Sequence, residues 1–284
     1  METFLLIGHI ARDETPSGAR LGGTVAYAGA AMAALGAVLH LVTSARRDER
    51  VLGELPAALN VHLIAAERTT TFINRYEGGA RHQTLLGRAV PLALEHVPSA
   101  WRTPSVVCLC PLADEVEPSL VHAFPRARRA AALQGWLRTW DADGTVRRKA
   151  WEEAGWVLPQ LDWAVLSEED IGRDADLEAH YAALAPLLIV TRAERGCTVY
   201  QRHILPLHIP APQVEVVDAT GAGDVFFGVF SVLYQQTRDV SYAARVAVQL
   251  ASRSVTRIGL AGRPRPDEIQ AALSSARADS EPLT

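Results

Sequence analysis

Cysteine is scarce: Cys108, Cys110 and Cys197 are the only three in 284 residues. A small, odd number at these spacings builds no disulfide framework. Cys108 and Cys110 sit in an apolar run with Val106, Val107 and Leu109, which reads as a buried strand, and no further soft ligand stands near at zinc-like spacing. The cytosol is the expected compartment. Excess positive charge is missing as well: 28 basic against 32 acidic residues leave a net charge of −4. Nucleic acid and anionic membranes are therefore not expected partners, and a phosphate-bearing ligand needs a local anion site. No stretch approaches the roughly 20 apolar residues of a membrane span. The start, Met1 to Gly8, has no basic n-region and too short an apolar run for a signal peptide.

Familiar catalytic patterns are also absent. There is no Gly-x-Ser-x-Gly elbow, no Gly-x-Gly-x-x-Gly after the first strand and no Walker A loop. The nine histidines show no His-x-x-x-His or His-Glu-x-x-His spacing, so structural roles are the default. His9, beside Gly8 at the end of the first strand, is the one placed to reach a pocket.

What is present is the balance of a globular α/β chain, with 49% hydrophobic residues. Phe4 to Ile7 reads as a buried strand, residues 23–36 as a helix stopped by Gly36, and Val38 to Val42 as a second strand: a crossover unit and a parallel sheet. Further strands are expected at 106–109, 130–133, 163–166 and 187–190, with a helix over 176–184. The stretch 69–90 alternates and turns at Glu77-Gly78-Gly79, the signal of a hairpin. Residues 195–217 read as short strands broken by Pro206, Pro210 and Pro212, with Val214 to Val217 the last. Helices are expected over 222–236 and 242–258, and a solvated helix end at Arg126 to Arg129. The last ten residues are polar and expected to fray. The sum is one α/β domain over 1–284.

The segment Val217 to Phe230 carries the chemistry. Asp218 and Thr220 are turn and cap residues, and Gly221-Ala222-Gly223 leaves the backbone open to close approach. An apolar helix follows, whose first N–H groups and dipole make an anion site. Asp224 falls in its first turn. A carboxylate beside an anion site suits phosphoryl transfer: the amides of 221–223 hold the migrating group, and Asp224 accepts the proton of the attacking hydroxyl.

These residues resemble the C-terminal signature of the ribokinase-like, or pfkB, carbohydrate kinases. Gly8 to Asp13, Gly22-Gly23 with its small-residue helix, Val190 to Gly196 and Ser254 to Gly259 are similar to other motifs of that family, so the likeness runs over nearly the whole chain. The resemblance implies a three-layer α/β/α domain with a mostly parallel sheet and a small β lid, built from about 13–21 and 69–90. It implies MgATP as donor, with Asp224 as base and Gly221, Ala222 and Gly223 as anion hole. It puts Asp13, Gly22 and Gly23 on the substrate and Thr191, Glu194, Gly196 and Thr220 on the nucleotide. Several relatives form a homodimer through the lid, which is expected here if the hairpin edge is exposed; whether a monovalent cation activates the protein stays open and turns on the carbonyls near Asp218 and 253–258.

The chain departs from the family in places. Tyr27 stands where Asn is frequent, Ala193 where Gly is frequent, and the family's Asn-x-x-Glu appears as Ser167 to Asp170. Asp170 is the candidate for indirect magnesium binding. Gln134 to Arg138 resembles the Gln-x-x-x-Arg segment of myo-inositol kinase-like members. Gln134 and Arg138 either contact substrate or phosphate, or serve in the surrounding framework. The shortened acid at 170 keeps a second function open, a non-catalytic sugar or nucleotide sensor.

Overall fold

The computed structural model of the chain describes residues 2–77 and 80–278. In strand β1 (Thr3–Ile7), Phe4 and Leu6 face one core while Leu5 and Ile7 face another. A strand covered on both faces has an unbroken apolar run, and such strands belong in parallel sheets. Next come β2 (Ala11–Thr15), β3 (Gly18–Gly22), helix α1 (Thr24–Ala34), β4 (Val38–Ala45) and β5 (Leu59–Ala65). The hairpin strands β6 (Thr71–Glu77) and β7 (Ala80–Gly87) follow; their expected turn at Gly78-Gly79 lies outside the described residues. The middle of the chain supplies β8 (Val106–Leu109), β9 (Arg128–Ala132), the short pair β10 (Arg138–Trp140) and β11 (Val146–Arg148), and α2 (Ala154–Val157). Then come β12 (Trp163–Ser167), α3 (Ala175–Leu184), β13 (Leu187–Thr191), β14 (Cys197–Gln201) and β15 (Leu207–Ile209). Three helices close it: α4 (Ala222–Thr237), α5 (Val240–Ser254) and α6 (Pro266–Ala278).

Nine strands form one sheet in the order β15-β14-β13-β12-β9-β8-β1-β4-β5. It is parallel from β13 to β5 and antiparallel at β14 and β15. Helices α1, α4, α5 and α6 cover one face; α2, α3 and the turns at 118–122 and 133–137 cover the other. These are the expected three layers. All three cysteines are buried and free, and burial pushes the Cys197 thiol up to about 12.

A second sheet, β3-β2-β6-β7, rises from the end of β1 and forms the expected lid. Its apolar underside, Ala11, Phe72 and Leu85, rests on Leu112 and Ala113. Its two roots are tied together. Thr70 Oγ1 donates to His9 Nδ1 (2.7 Å) and accepts from Ala89 N (3.0 Å), while His9 Nε2 donates to Val90 O (2.8 Å). Burial holds the His9 pKa below its ordinary value, and in the neutral imidazole the proton sits on Nε2, facing Val90 O, which leaves Nδ1 to accept. Glu115 is buried beneath and accepts from the backbone N–H groups of His9 (2.8 Å), Leu112 (2.9 Å) and Ala113 (2.6 Å). His9 is thus a fastening of the lid, not a pocket residue.

Three expectations are corrected. Val214 to Val217 form no strand: the Val217 and Asp218 N–H groups both donate to Val255 O (2.8 and 3.0 Å) instead of entering a ladder. Arg128 and Arg129 open β9 and pair with Asp162, so they are no helix end. Helix α5 stops at Ser254, whose hydroxyl donates to Ala251 O (2.7 Å), four residues before the expected end. The tail is helical to Ala278, and the rest of it lies outside the described residues.

Candidate active site

The turn before α4 is set by Asp218. Its Oδ1 accepts from Thr220 N (2.9 Å) and its Oδ2 from Gly259 N (3.0 Å). Burial pushes this carboxyl up, but those N–H groups and nearby Arg20 outweigh it and hold its pKa below the usual carboxylate value. Gly221 begins the helix in the left-handed conformation, with φ 79°, and a Cβ there would overlap the Tyr27 ring. Both facts demand glycine. A Cβ on Gly223 would meet nothing within 4 Å, so open space lies above it. No side chain caps α4, and Asp224 stands in its first turn. Ala222 N donates to Ala219 O (3.3 Å), and the N–H groups that follow it in the first turn are available to an anion.

That open space belongs to a cavity of about 630 Å³ between the lid and the ends of the central strands. Of the residues expected in a site, Asp13, Gly23, Gln134, Arg138, Asp170, Thr191, Glu194, Gly196 and the run Thr220 to Asp224 all line it. Gly22 does not. It leaves room for Asp13, whose Oδ2 a Cβ at 22 would overlap. Asp13 is also oriented by the lid: Asn74 Nδ2 donates to its Oδ1 (3.4 Å), and Gln83 Nε2 to Asn74 Oδ1 (2.7 Å). Tyr27 also lines the cavity, is 5% exposed, and its hydroxyl makes no hydrogen bond among the described residues. Burial, then the charges of Asp13, Asp218 and Asp224, push its pKa up, so it stays a protonated phenol.

On the other side, Thr191, Glu194 and Gly196 form the turn between β13 and β14. Ala193 there has φ 49°, the left-handed conformation in which glycine is easiest. Arg192 braces this turn from below: it donates to Thr198 Oγ1 (2.8 Å), Glu168 Oε2 (3.1 Å) and Glu178 Oε1. Asp170 is held in its loop, with Oδ1 accepting from Gln134 Nε2 (3.2 Å) and Oδ2 from Ser167 N (2.8 Å).

Two parts of the site were not foreseen. Val214, Val216, Val248, Ala251 and Val255 are apolar residues along the cavity, the first two on a segment misread as a strand. The hairpin β10–β11 also contributes to the wall; Asp143-Gly144 was its available signal, since Asp-Gly marks tight hairpins.

Among the described residues no group of three or more His, Cys, Asp or Glu could hold a metal. Magnesium asks for less, one or two carboxylates beside a ligand's phosphates. Asp170 and Asp224 on one cavity fit that requirement. A monovalent ion fits poorly: Val255 O accepts from Val217 N and Asp218 N, and Arg253 O from Thr256 N (3.3 Å) and its hydroxyl (2.8 Å). No role is assigned to such an ion. Among the described residues no helix is long and apolar enough to cross a membrane.

Residues 150–267 match the pfkB family carbohydrate kinase model. The bifunctional protein HldE of Bradyrhizobium diazoefficiens is 36% identical over 118 residues, which is 41% of this chain and 22% of that protein. The deoxyribokinase of Salmonella typhi is 42% identical over 69 residues, 24% of this chain and 22% of that protein. The chain thus spans about a fifth of the length of the curated relatives it matches. A pyrophosphate-dependent kinase of the ribokinase family, solved with a pyrophosphate analogue and myo-inositol, superposes with a TM-score of 0.80 at 20% identity, covering 94% of this chain and 99% of its own. The chain has a ribokinase-like fold, and its residues 150–267 are similar to the pfkB carbohydrate kinases.

Proposed function

We propose that the chain is a kinase that transfers the terminal phosphoryl group of MgATP to a hydroxyl of a sugar or polyol. The observation that carries this reading is convergence: Asp224, the uncapped start of α4 and Asp13 share one cavity, which also holds apolar residues that suit a purine. Asp13, steadied by Asn74, accepts from acceptor hydroxyls, and the Gly22-Gly23 backbone supports them. Asp224 takes the proton of the attacking hydroxyl. The amides of Gly221, Ala222 and Gly223 donate to the phosphoryl oxygens as charge builds there. Thr191, Glu194, Gly196 and Thr220 lie along the nucleotide. Magnesium, when bound, would neutralise phosphate charge, with Asp170 the residue that would help hold it through water.

The likeness of residues 134–138 to inositol kinases, and the myo-inositol in the solved pyrophosphate-dependent kinase, support a cyclic polyol as acceptor. That relative also places pyrophosphate beside ATP as a donor to try. A homodimer through the hairpin edge of the lid belongs to the same reading; sedimentation giving only monomer at micromolar concentration removes it.

The test is ADP release from MgATP against a panel of sugars, inositols and nucleosides, with wild type and Asp224→Asn. One polyol is expected to stimulate release, and the variant to lose it. Asp170 has both oxygens engaged by Gln134 and Ser167, which favours a second reading, a non-catalytic sugar or nucleotide sensor. That reading gains if no compound stimulates release while ligands still raise the melting temperature.

A further inference from the structure

The hairpin β10–β11 sets Arg138 directly opposite Arg148. Residues opposed in an antiparallel pair project from the same face, and like charges placed there destabilise the pair. Both arginines line the cavity. An anion seated between the two guanidinium groups meets two positive charges at once.

The hairpin is also anchored across the cavity. At its turn, Gly144 O accepts from Leu85 N of lid strand β7 (2.8 Å), and Thr145 bridges to Thr84. At its base, Arg148 donates to Ile171 O, in the loop that carries Asp170. Lys149 Nζ meets Asp114 Oδ2 (2.7 Å) and fixes the following residue. The Ile171 contact uses one donor of a guanidinium fork that presents five. The loop after β12 adjoins the end of β13, the side of Thr191 and Glu194, while Asp13 stands on the lid strand β2. The pair therefore belongs to the donor side.

We propose that Arg138 and Arg148 form a clamp on the phosphate chain of the donor, with Arg148 a donor-binding residue that also straps the hairpin to the β12 loop. This rests on the kinase reading. The clamp holds the phosphates from one side and the start of α4 from the other, so much of the donor affinity resides in the phosphates. An inorganic polyphosphate then binds without a base.

The experiment is calorimetry of inorganic tripolyphosphate with the full chain, together with donor and acceptor KM, for wild type, Arg148→Gln and Arg148→Lys. Tripolyphosphate is expected to bind wild type and to compete with ATP. Arg148→Gln is expected to weaken tripolyphosphate and raise donor KM by about 10- to 100-fold, the size of a lost charge-assisted bond. Acceptor KM should stay within about twofold, and Lys should restore part of the loss. A change in acceptor KM with donor KM untouched overturns the clamp in favour of an anionic acceptor. No change in either reduces Arg148 to a strap. Should Arg148→Gln unfold, Arg138→Gln keeps the Ile171 contact and must show the same donor effect; an unchanged donor KM there overturns the proposal. A wild type that binds tripolyphosphate through Arg148 but turns nothing over sinks the kinase reading and leaves the clamp standing.

Discussion

On one side of the cavity the chain presents backbone: Gly221 to Gly223 at the start of α4 and Gly23 before α1. On the other it presents long side chains, Gln134, Arg138, Arg148 and Asp170, carried by a 3-10 turn, a two-stranded hairpin and a loop. The backbone wall is fixed by dihedral angles and by contact with Tyr27. The side-chain wall is fixed by hydrogen bonds between neighbours, such as Gln134 with Asp170. In the proposed kinase, charge stabilisation on the transferring group falls to the first wall and selection among ligands to the second.

The comparison breaks first at Asp224. Asp224→Asn is expected to cut turnover by about 10²- to 10⁴-fold, the worth of a positioned base, with the melting temperature unchanged; a stopped assay beside a thermal melt checks both. The donor-side wall depends instead on its brace. Arg192→Met leaves Glu168 and Glu178, each with a side chain under 10% exposed, without their shared cation, and should cost about 3–5 kcal/mol in urea unfolding. The pH dependence follows. Burial raises the Glu168 pKa, but Arg195 and Arg192 outweigh it and hold it below the ordinary 4.5. Its contribution is therefore complete above that value and lost as pH falls through the lowered folded-state value. Arg192→Met should make this acid limb of stability shallower, with Arg195 still holding part of it.

A pair of glycine variants sharpens the comparison further. Gly221→Ala is expected to destabilise by about 1–3 kcal/mol, from a positive φ and the clash with Tyr27. Gly223→Ala meets open space, so stability should hold or rise slightly while turnover falls by about 10²-fold as the methyl enters the phosphoryl site. Equal stability losses in the two would refute the idea of an open face at 223. The smallest effect belongs to the lid: Thr70→Val removes the hydroxyl between His9 and Ala89 and should cost about 1 kcal/mol by denaturant titration.

Much of this was legible in the chain because it is local. The central strands announce themselves as apolar runs: β8 was expected at 106–109, where it lies, and β1 at 4–7 begins one residue early. The run Asp218 to Asp224 carries its own turn, anion site and acid within seven residues. What stayed hidden depends on distant partners. Strands β10 and β11 are three residues each, too short for any alternation, and exist because they pair with each other and lean on β7. Val214 to Val217 looks like a strand until Val255 O takes its N–H groups. Arg192 reads as one more surface charge until the fold brings Glu168 and Glu178 to it.

The central claim is that one cavity brings donor and acceptor together at Asp224. The most direct test is ³¹P NMR of a reaction mixture holding MgATP and the stimulating polyol, with ligand binding to wild type and Asp224→Asn measured in parallel. The expected result is a phosphomonoester signal with wild type, and none with a variant that binds both ligands as tightly. A variant that binds both ligands and still forms the ester at the wild-type rate would contradict the account.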